Sequence, residues 1–216
     1  MTKLTELKAS VRLLLEDASA ARFSDDLLQT ALHQTLDGLN ARLPLLKSLD
    51  FLITTPGRDQ ALSGLNGCRY LVSLDWITPA GVEKSLEAGS QFSYLLLQSG
   101  PVLHFSGADY PQPGDTLNLR YAADHTIEGL DGATTTSLPA SCETALVNGA
   151  AGHACRLRAA SLVERPGSRL EDTARLVEIG RLWLEAFERG LGSLRILQDF
   201  GFPPGFSLDQ WDMRGG

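Results

Sequence analysis

The hydrophobic periodicity of this chain changes twice, and the two changes limit the folds that it can adopt. Apolar residues recur at helical spacing over residues 4–18 and 25–43. Between residues 48 and 136 the apolar runs shorten to strand length, with glycine- and proline-rich turns between them. Helical spacing returns over residues 139–163 and 169–198. The pattern predicts an α+β protein, in which a four-helix bundle carries an inserted antiparallel β domain that is a small barrel or a sandwich.

These changes divide the chain into three parts. We expect residues 1–47 and 137–198 to form the helical bundle domain, residues 48–136 the inserted β domain, and residues 199–216 an extended C-terminal tail. Charge follows the same division, since residues 48–136 contain 10 acidic and only 4 basic side chains. This acidity indicates either a solvated surface or a wall that repels passing DNA.

The overall charge and the cysteines exclude several classes of protein. A net charge of −7 disfavours a general nucleic-acid binder, which neutralises phosphates with clustered lysine and arginine. The 3 cysteines are far apart and form no C-x-x-C pair, so we expect a reducing compartment and no disulfide framework. No apolar run approaches the roughly 20 residues of a membrane span, and residues 1–10 do not form a signal sequence.

The stretch SLPASCETALVNGAAGHACRLRAAS, residues 137–161, has helical spacing but contains two glycines in its interior. Ala145, Gly149 and Gly152 fall on one face of the predicted helix. Because each interior glycine costs up to about 1 kcal/mol relative to alanine, a compensating interaction is expected. We predict that these three small residues let another helix backbone approach closely.

The same stretch does not predict chemistry. His153 and Cys155 are two residues apart, so they point to different sides of a helix and make a poor metal pair. Cys142 and Cys155 are interpreted as small buried apolar residues. The sequence has no nucleophile elbow, P-loop, zinc-protease motif or dinucleotide-binding glycine pattern. We therefore predict no catalytic residue, no metal site and no cofactor.

Two interpretations that involve chemistry stay open. One is an enzyme whose site is built around Asp124, His125 and Asp131, and the other is a ligand- or carbohydrate-binding β module on a helical stalk. The acidic residues of the β region also suggest a Ca²⁺ site, although the EF-hand spacing is absent. These acids are Asp109, Asp115, Asp124, Glu128 and Asp131.

The tail, DFGFPPGFSLDQWDMRGG, places four large aromatic residues among glycines and prolines that prevent a regular element. Such a tail either folds back over its own bundle or docks into the groove of a partner. We favour the partner.

Two segments of the sequence resemble the head–tail adaptor proteins of tailed bacteriophages and prophages, which are also called connector or head-completion proteins. FSDDLLQTALHQTLDGLNARLP, residues 23–44, is similar to the early helix of that family, with its acidic cap and closing Leu-Pro. Residues 137–161 are similar to its later helix, which follows a Leu-Pro and is rich in alanine and glycine. Residues 48–136 resemble the β domain that gatekeeper-like adaptors add.

The resemblance implies a structural protein and no enzyme. It implies a homo-oligomeric ring, commonly a dodecamer, that lies under the portal protein, extends the DNA channel and contacts a downstream neck or tail-completion protein. DNA passes through such a ring without sequence-specific binding, and no membrane is involved. Phe202, Phe206 and Trp211 would dock the tail to the portal, with Arg214 as a polar partner. We also expect Gly149, Gly152 and the amphipathic helices to supply the surfaces between ring subunits, and the location to be the virion neck, after assembly in the cytoplasm of the bacterial host.

Overall fold

The computed structural model describes residues 2–65, 67–98, 100–163 and 170–199, and the chain forms two compact units. The helical unit takes Met1–Leu43 and Thr126–Gly216, and the β unit takes Pro44–His125. The chain thus leaves the helical unit once, forms the β unit, and returns.

The helical unit begins with α1, Leu4–Leu14, and α2, Asp25–Arg42. The N-cap of α2 is Ser24, whose Oγ accepts the Leu27 amide at 3.3 Å. Its buried residues recur at helical spacing and face the core: Leu28, Ala31, Leu32, Thr35, Leu36, Leu39 and Asn40. The first helix ends at Leu14, earlier than the residue 18 that its apolar spacing predicts.

A buried carboxylate explains the early end of α1. Asp17 is 2% exposed and accepts the backbone amides of Arg22 at 3.0 Å and Phe23 at 2.9 Å, and also the guanidinium of Arg12 at 3.2 Å. Burial by itself would raise the pKa of Asp17, but these amide donors and the two arginines outweigh it and lower the pKa. Asp17 therefore holds the connection to α2 in a non-helical path.

After the β unit, the chain enters a 3₁₀ turn, Ala140–Cys142, and then α3, Glu143–Val163. The last helix, α4, covers Leu170–Asp199. The core of the helical unit is built from α1, α2, α3 and α4 together with Ile127 and Leu130, which lie in the segment that precedes the 3₁₀ turn.

The β unit contains seven described strands in two sheets. They are β1 Leu45–Leu52, β2 Asp59–Ala61, β3 Cys68–Ile77, β4 Glu83–Leu86, β5 Phe92–Leu97, β6 Gly100–Phe105 and β7 Thr116–Ala123. One sheet has the order β1-β7-β3-β4 and the other has the order β2-β6-β5. Every pairing between these strands is antiparallel.

The two sheets share one apolar core. Leu74 and Leu117 from the four-stranded sheet join Phe92, Leu103 and Phe105 from the three-stranded sheet in a single buried cluster. This is a sandwich-like arrangement, and no closed barrel is formed by the described strands. The predicted α+β class, with four helices and an antiparallel β region, is confirmed.

The unit boundaries differ from those that the sequence suggests. The first strand, Leu45–Leu52, begins three residues before position 48, where the sequence pattern places the start of the β domain. Residues 126–136 belong to the helical unit, although the sequence pattern places them in the β domain. There the Leu4 amide donates to the Glu128 carbonyl at 3.0 Å, and Thr136 Oγ1 donates to the Thr2 carbonyl at 2.8 Å.

Candidate assembly surfaces

The small residues of α3 face the helices on either side of it. An added Cβ at Gly149 would lie 2.4 Å from Thr35 Cγ2 of α2 and 3.0 Å from the Phe187 ring of α4. An added Cβ at Gly152 would lie 2.7 Å from Leu184 Cγ and 2.9 Å from the Gly180 carbonyl oxygen. The shortest distance at each position, 2.4 Å and 2.7 Å, is below that of real Cβ contacts, so a side chain at either position would force a neighbouring group to move.

Helix α4 contributes its own glycines to the same contact. A Cβ at Gly180 would lie 2.9 Å from the Gly152 carbonyl oxygen, and a Cβ at Gly190 would lie 3.1 Å from the Ala145 Cβ. We did not single out Gly180 and Gly190 from the sequence. Their signal was available, since an interior glycine in a long amphipathic helix carries the same cost as Gly149.

The expectation that Gly149 and Gly152 supply surfaces between ring subunits is wrong. Both residues are buried, and the backbones that approach them belong to α2 and α4 of the same chain. The physical reason is that the stretch 137–161 is rich in alanine and glycine around most of its circumference, so it becomes the centre of its own bundle. Its small residues are used to pack the protomer.

The tail residues proposed to dock on the portal, Phe202, Phe206, Trp211 and Arg214, lie outside the described residues.

The residues of the enzyme hypothesis have structural partners. Asp124 forms an ion pair with Arg69, and His125 is buried in the β unit. Asp131 belongs to the helical unit, where its carboxylate contacts His33 Nε2 at 2.7 Å. Asp124 and Asp131 therefore have ion-pair partners in two different units.

The acids considered for calcium are engaged separately. Glu128 pairs with Lys3 at 2.8 Å, and the Asp115 carboxylate accepts the Gln112 amide at 2.7 Å. Across the described ranges, no three His, Cys, Asp or Glu side chains are grouped so that they could hold a metal ion. The same part of the chain has no helix long and apolar enough to cross a membrane.

The cysteines of α3 and of the turn before it are buried, as predicted. Burial raises the pKa of the Cys142 thiol, and it raises the pKa of the Cys155 thiol to about 11. Burial and the nearby charge of Arg156 lower the pKa of His153. Both thiols are therefore protonated at neutral pH, and a protonated thiol is a poor nucleophile and a poor metal ligand.

An apolar hairpin tip is the surface feature that our sequence analysis missed. Leu95, Leu96 and Leu97 end strand β5 and are 40%, 77% and 49% exposed. Leu96 is paired with Pro101 and Leu97 with Gly100 across the hairpin. The sequence carries a signal for this surface, because three consecutive leucines in a strand cannot all face one core.

One row of polar side chains crosses the outer face of the four-stranded sheet, between rows that carry exposed apolar side chains. Asn118 in the middle of β7 donates to Asp50 of β1 at 2.6 Å, and Ser85 of β4 donates to Asp75 of β3 at 2.6 Å. These four residues form one row across the sheet, since Asp50 and Asp75 are both in register with Asn118. The row presents two carboxylates and no cation to the solvent.

Comparison with known proteins gives loose structural similarities. No protein-family model and no curated protein sequence matches the chain. A chain in the neck of an empty gene transfer agent particle with C6 symmetry has a TM-score of 0.31 and 17% identity, over 80% of this chain and 87% of that chain. A chain in the virion of the native particle has a TM-score of 0.33 and 17% identity, over 82% and 87%.

A third similar chain comes from the neck of the native particle with C12 symmetry. Its TM-score is 0.30 and its identity is 16%, over 85% of this chain and 92% of that chain. The similarity thus extends over most of each chain, while the superposition is loose.

Proposed function

We propose that this chain is a structural head–tail adaptor of the tailed-phage type. It forms a ring under the portal, extends the DNA channel and joins the head to the tail. The proposal is supported by the contact between α2 and α3, because these two helices contain the two segments that resemble the adaptor family. Thr35 of one helix lies directly against Gly149 of the other, at the buried centre of the helical unit. The two segments therefore pack against each other in the core of the helical unit.

The exposed leucines of the β5–β6 hairpin provide a surface for assembly. A cluster of exposed apolar side chains at one turn marks an interaction site more often than scattered single residues do. Leu95, Leu96 and Leu97 would be covered by a neighbouring copy of this chain in the ring. The hairpin leucines, and not the glycines of α3, would then supply a surface between ring subunits.

The acidic β region suits a channel through which DNA moves. A surface that binds DNA tightly presents clustered arginine and lysine to the phosphates. Residues 48–136 have the opposite balance, and the polar row of Asp50, Asn118, Asp75 and Ser85 adds no cation. DNA would pass without sequence-specific binding.

The partners follow from the same role. The tail would reach the portal through Phe202, Phe206 and Trp211, with Arg214 as a polar contact, and the ring would meet a downstream neck or tail-completion protein on its other side. The ring would be a dodecamer located in the virion neck, after assembly in the bacterial cytoplasm. No bond-making centre is needed for any of these contacts, so the chain would act without catalysis, metal or cofactor.

Negative-stain electron microscopy of the full chain, alone and mixed with the portal protein from the same genome, tests the proposal. We expect rings, or a new layer of density on the portal. The double substitution Phe206→Ala and Trp211→Ala should prevent the layer, while the far-UV circular dichroism of the chain shows that its helices and strands are kept. A chain that stays monomeric and leaves the portal unaltered would refute the adaptor role and favour the ligand-binding β module.

A further inference from the structure

A cavity of about 580 Å³ opens at one end of the helical unit. It lies between the end of α1, the loop that follows it, the C-terminal part of α3 and the N-terminal half of α4. Leu176, Ile179 and Trp183 of α4 form an apolar wall, and Phe23 and Cys155 lie deeper. The volume falls within the range of about 300–1,000 Å³ that is usual for binding pockets.

Three arginines line this cavity: Arg22, Arg158 and Arg175. The guanidinium of Arg22 donates to the carbonyl oxygens of Leu15 at 2.7 Å and Glu16 at 2.8 Å. Among the described residues, no carboxylate forms an ion pair with Arg158 or Arg175.

Two acids, Glu16 and Asp172, also line the cavity, so its lining side chains carry three positive and two negative charges. An apolar wall beside unpaired guanidinium groups suits a ligand that combines an aromatic ring with carboxylates. The ring would bury its area against Trp183 and its neighbours. The carboxylates would form charge-assisted hydrogen bonds with the arginines.

The chain itself contains such a ligand after the end of α4. The segment FSLDQWDM, residues 206–213, has two aromatic residues, Phe206 and Trp211, and two acids, Asp209 and Asp212, with no basic residue. Its charge of −2, which becomes −1 when the following Arg214 is included, is opposite to that of the two unpaired arginines.

The length of the tail allows this contact within one chain. An α-helix rises about 1.5 Å per residue, so Trp183 lies about 24 Å and Leu176 about 35 Å from Asp199 along α4. An extended chain covers about 3.3 Å per residue, so Phe206 reaches about 23 Å and Trp211 about 40 Å beyond Asp199. A tail that runs back along α4 is therefore long enough for Trp211 to reach Leu176, with about 5 Å left for the change of direction.

We infer that the cavity binds the C-terminal tail of its own chain, with Trp211 against Leu176 and Ile179 and with Asp209 and Asp212 facing Arg158 and Arg175. The contact belongs to the free protomer and stands independently of the portal-binding role proposed above. If the portal does use the same aromatic residues, it competes with the cavity for them.

Fluorine NMR of the full chain labelled with 5-fluorotryptophan tests this inference. The chain has 3 tryptophans, and each resonance is assigned by a Trp→Phe substitution. We expect the Trp211 resonance to be broad and displaced from the position of free 5-fluorotryptophan. Arg175→Glu should narrow it, move it towards the free position and shift the Trp183 resonance. Because Arg175 is exposed, the substitution is not expected to unfold the bundle.

Matched controls make the result decisive. Arg189→Glu makes the same change on α4 outside the cavity and should leave all three resonances in place, while Trp76 in the β unit reports intact folding. Combining Arg175→Glu with Asp212→Arg should restore part of the Trp211 displacement. A Trp211 resonance already at the free position, or an equal response to Arg175→Glu and Arg189→Glu, would overturn the inference. A Trp211 position that depends on protein concentration would also overturn it, since it would assign the contact to a second copy.

Discussion

Gly149 shows how a single missing side chain decides the packing of three helices. A Cβ at this position would collide with the Thr35 methyl group on one side and the Phe187 ring on the other. Close-packed interiors have no free volume to absorb such an atom, so either α2 or α4 would have to move. The same constraint applies at Gly152, where the obstacle is the backbone carbonyl of Gly180.

We predict that Gly149→Ala lowers the free energy of unfolding by about 1–3 kcal/mol through overpacking. The matched control is Gly192→Ala, because an added Cβ at Gly192 meets nothing within 4 Å. That substitution should stabilise α4 by up to about 1 kcal/mol through helix propensity. Urea denaturation followed by circular dichroism measures both values.

A substitution in α2 should relieve the collision between an added Cβ at Gly149 and Thr35. Adding Thr35→Ser to Gly149→Ala removes the Cγ2 methyl group and keeps the hydroxyl that donates to the Ala31 carbonyl at 2.7 Å. We expect the double variant to recover part of the lost stability. Equal stability of Gly149→Ala and Gly192→Ala would show that the close contact is not required.

The β5–β6 hairpin is apolar along its length, but only its base is buried. Its base is part of the core, since Phe92 and Phe105 are 2% exposed, whereas its tip exposes three leucines. Strand pairing alone does not need apolar residues at the tip, because the cross-strand hydrogen bonds come from the backbone. The tip is therefore the surface that we propose a neighbouring copy of the chain covers.

We predict that Leu96→Asp changes the free energy of unfolding of the isolated chain by no more than about 0.5 kcal/mol. The same substitution should reduce self-association, because it places a carboxylate in the surface that a neighbouring copy would cover. Leu103→Ala, in the paired strand and 0% exposed, is the contrasting variant and should cost about 2–5 kcal/mol. Sedimentation velocity and thermal melts separate the two effects, and unchanged self-association of Leu96→Asp would remove the hairpin from the proposed interface.

The whole chain contains two separate hydrophobic cores. One is made of helical residues with Ile127 and Leu130, and the other is made of residues from the two sheets. The chain passes from one unit to the other only twice, near Leu43 and near Thr126. Proteins with more than one core commonly depart from all-or-none unfolding.

We therefore predict two transitions in differential scanning calorimetry. Leu103→Ala should lower the midpoint of one transition, and Gly149→Ala should lower the midpoint of the other, because each substitution affects a different core. A single transition that both variants lower equally would mean that the two units unfold together.

The sequence by itself determined the element types, because periodicity is a local property. The helical apolar spacing of α2 and the short apolar runs of residues 48–136, with glycine- and proline-rich turns between them, each predict their element type from a few neighbouring residues. The interior glycines of α3 predicted a close helix contact for the same reason: their cost is local and can be counted without knowing the partner.

Only the tertiary structure decided which surfaces face each other. The sequence did not show that α2 and α4 of the same chain cover Gly149 and Gly152, that Asp17 ends α1, or that residues 126–136 join the helical core. Each of these depends on contacts between residues far apart in the chain, such as the Leu4 amide with the Glu128 carbonyl. Local patterns reflect interactions between residues that are neighbours in the sequence. Whether a surface packs within a protomer or between protomers depends on contacts between side chains that are far apart in the sequence.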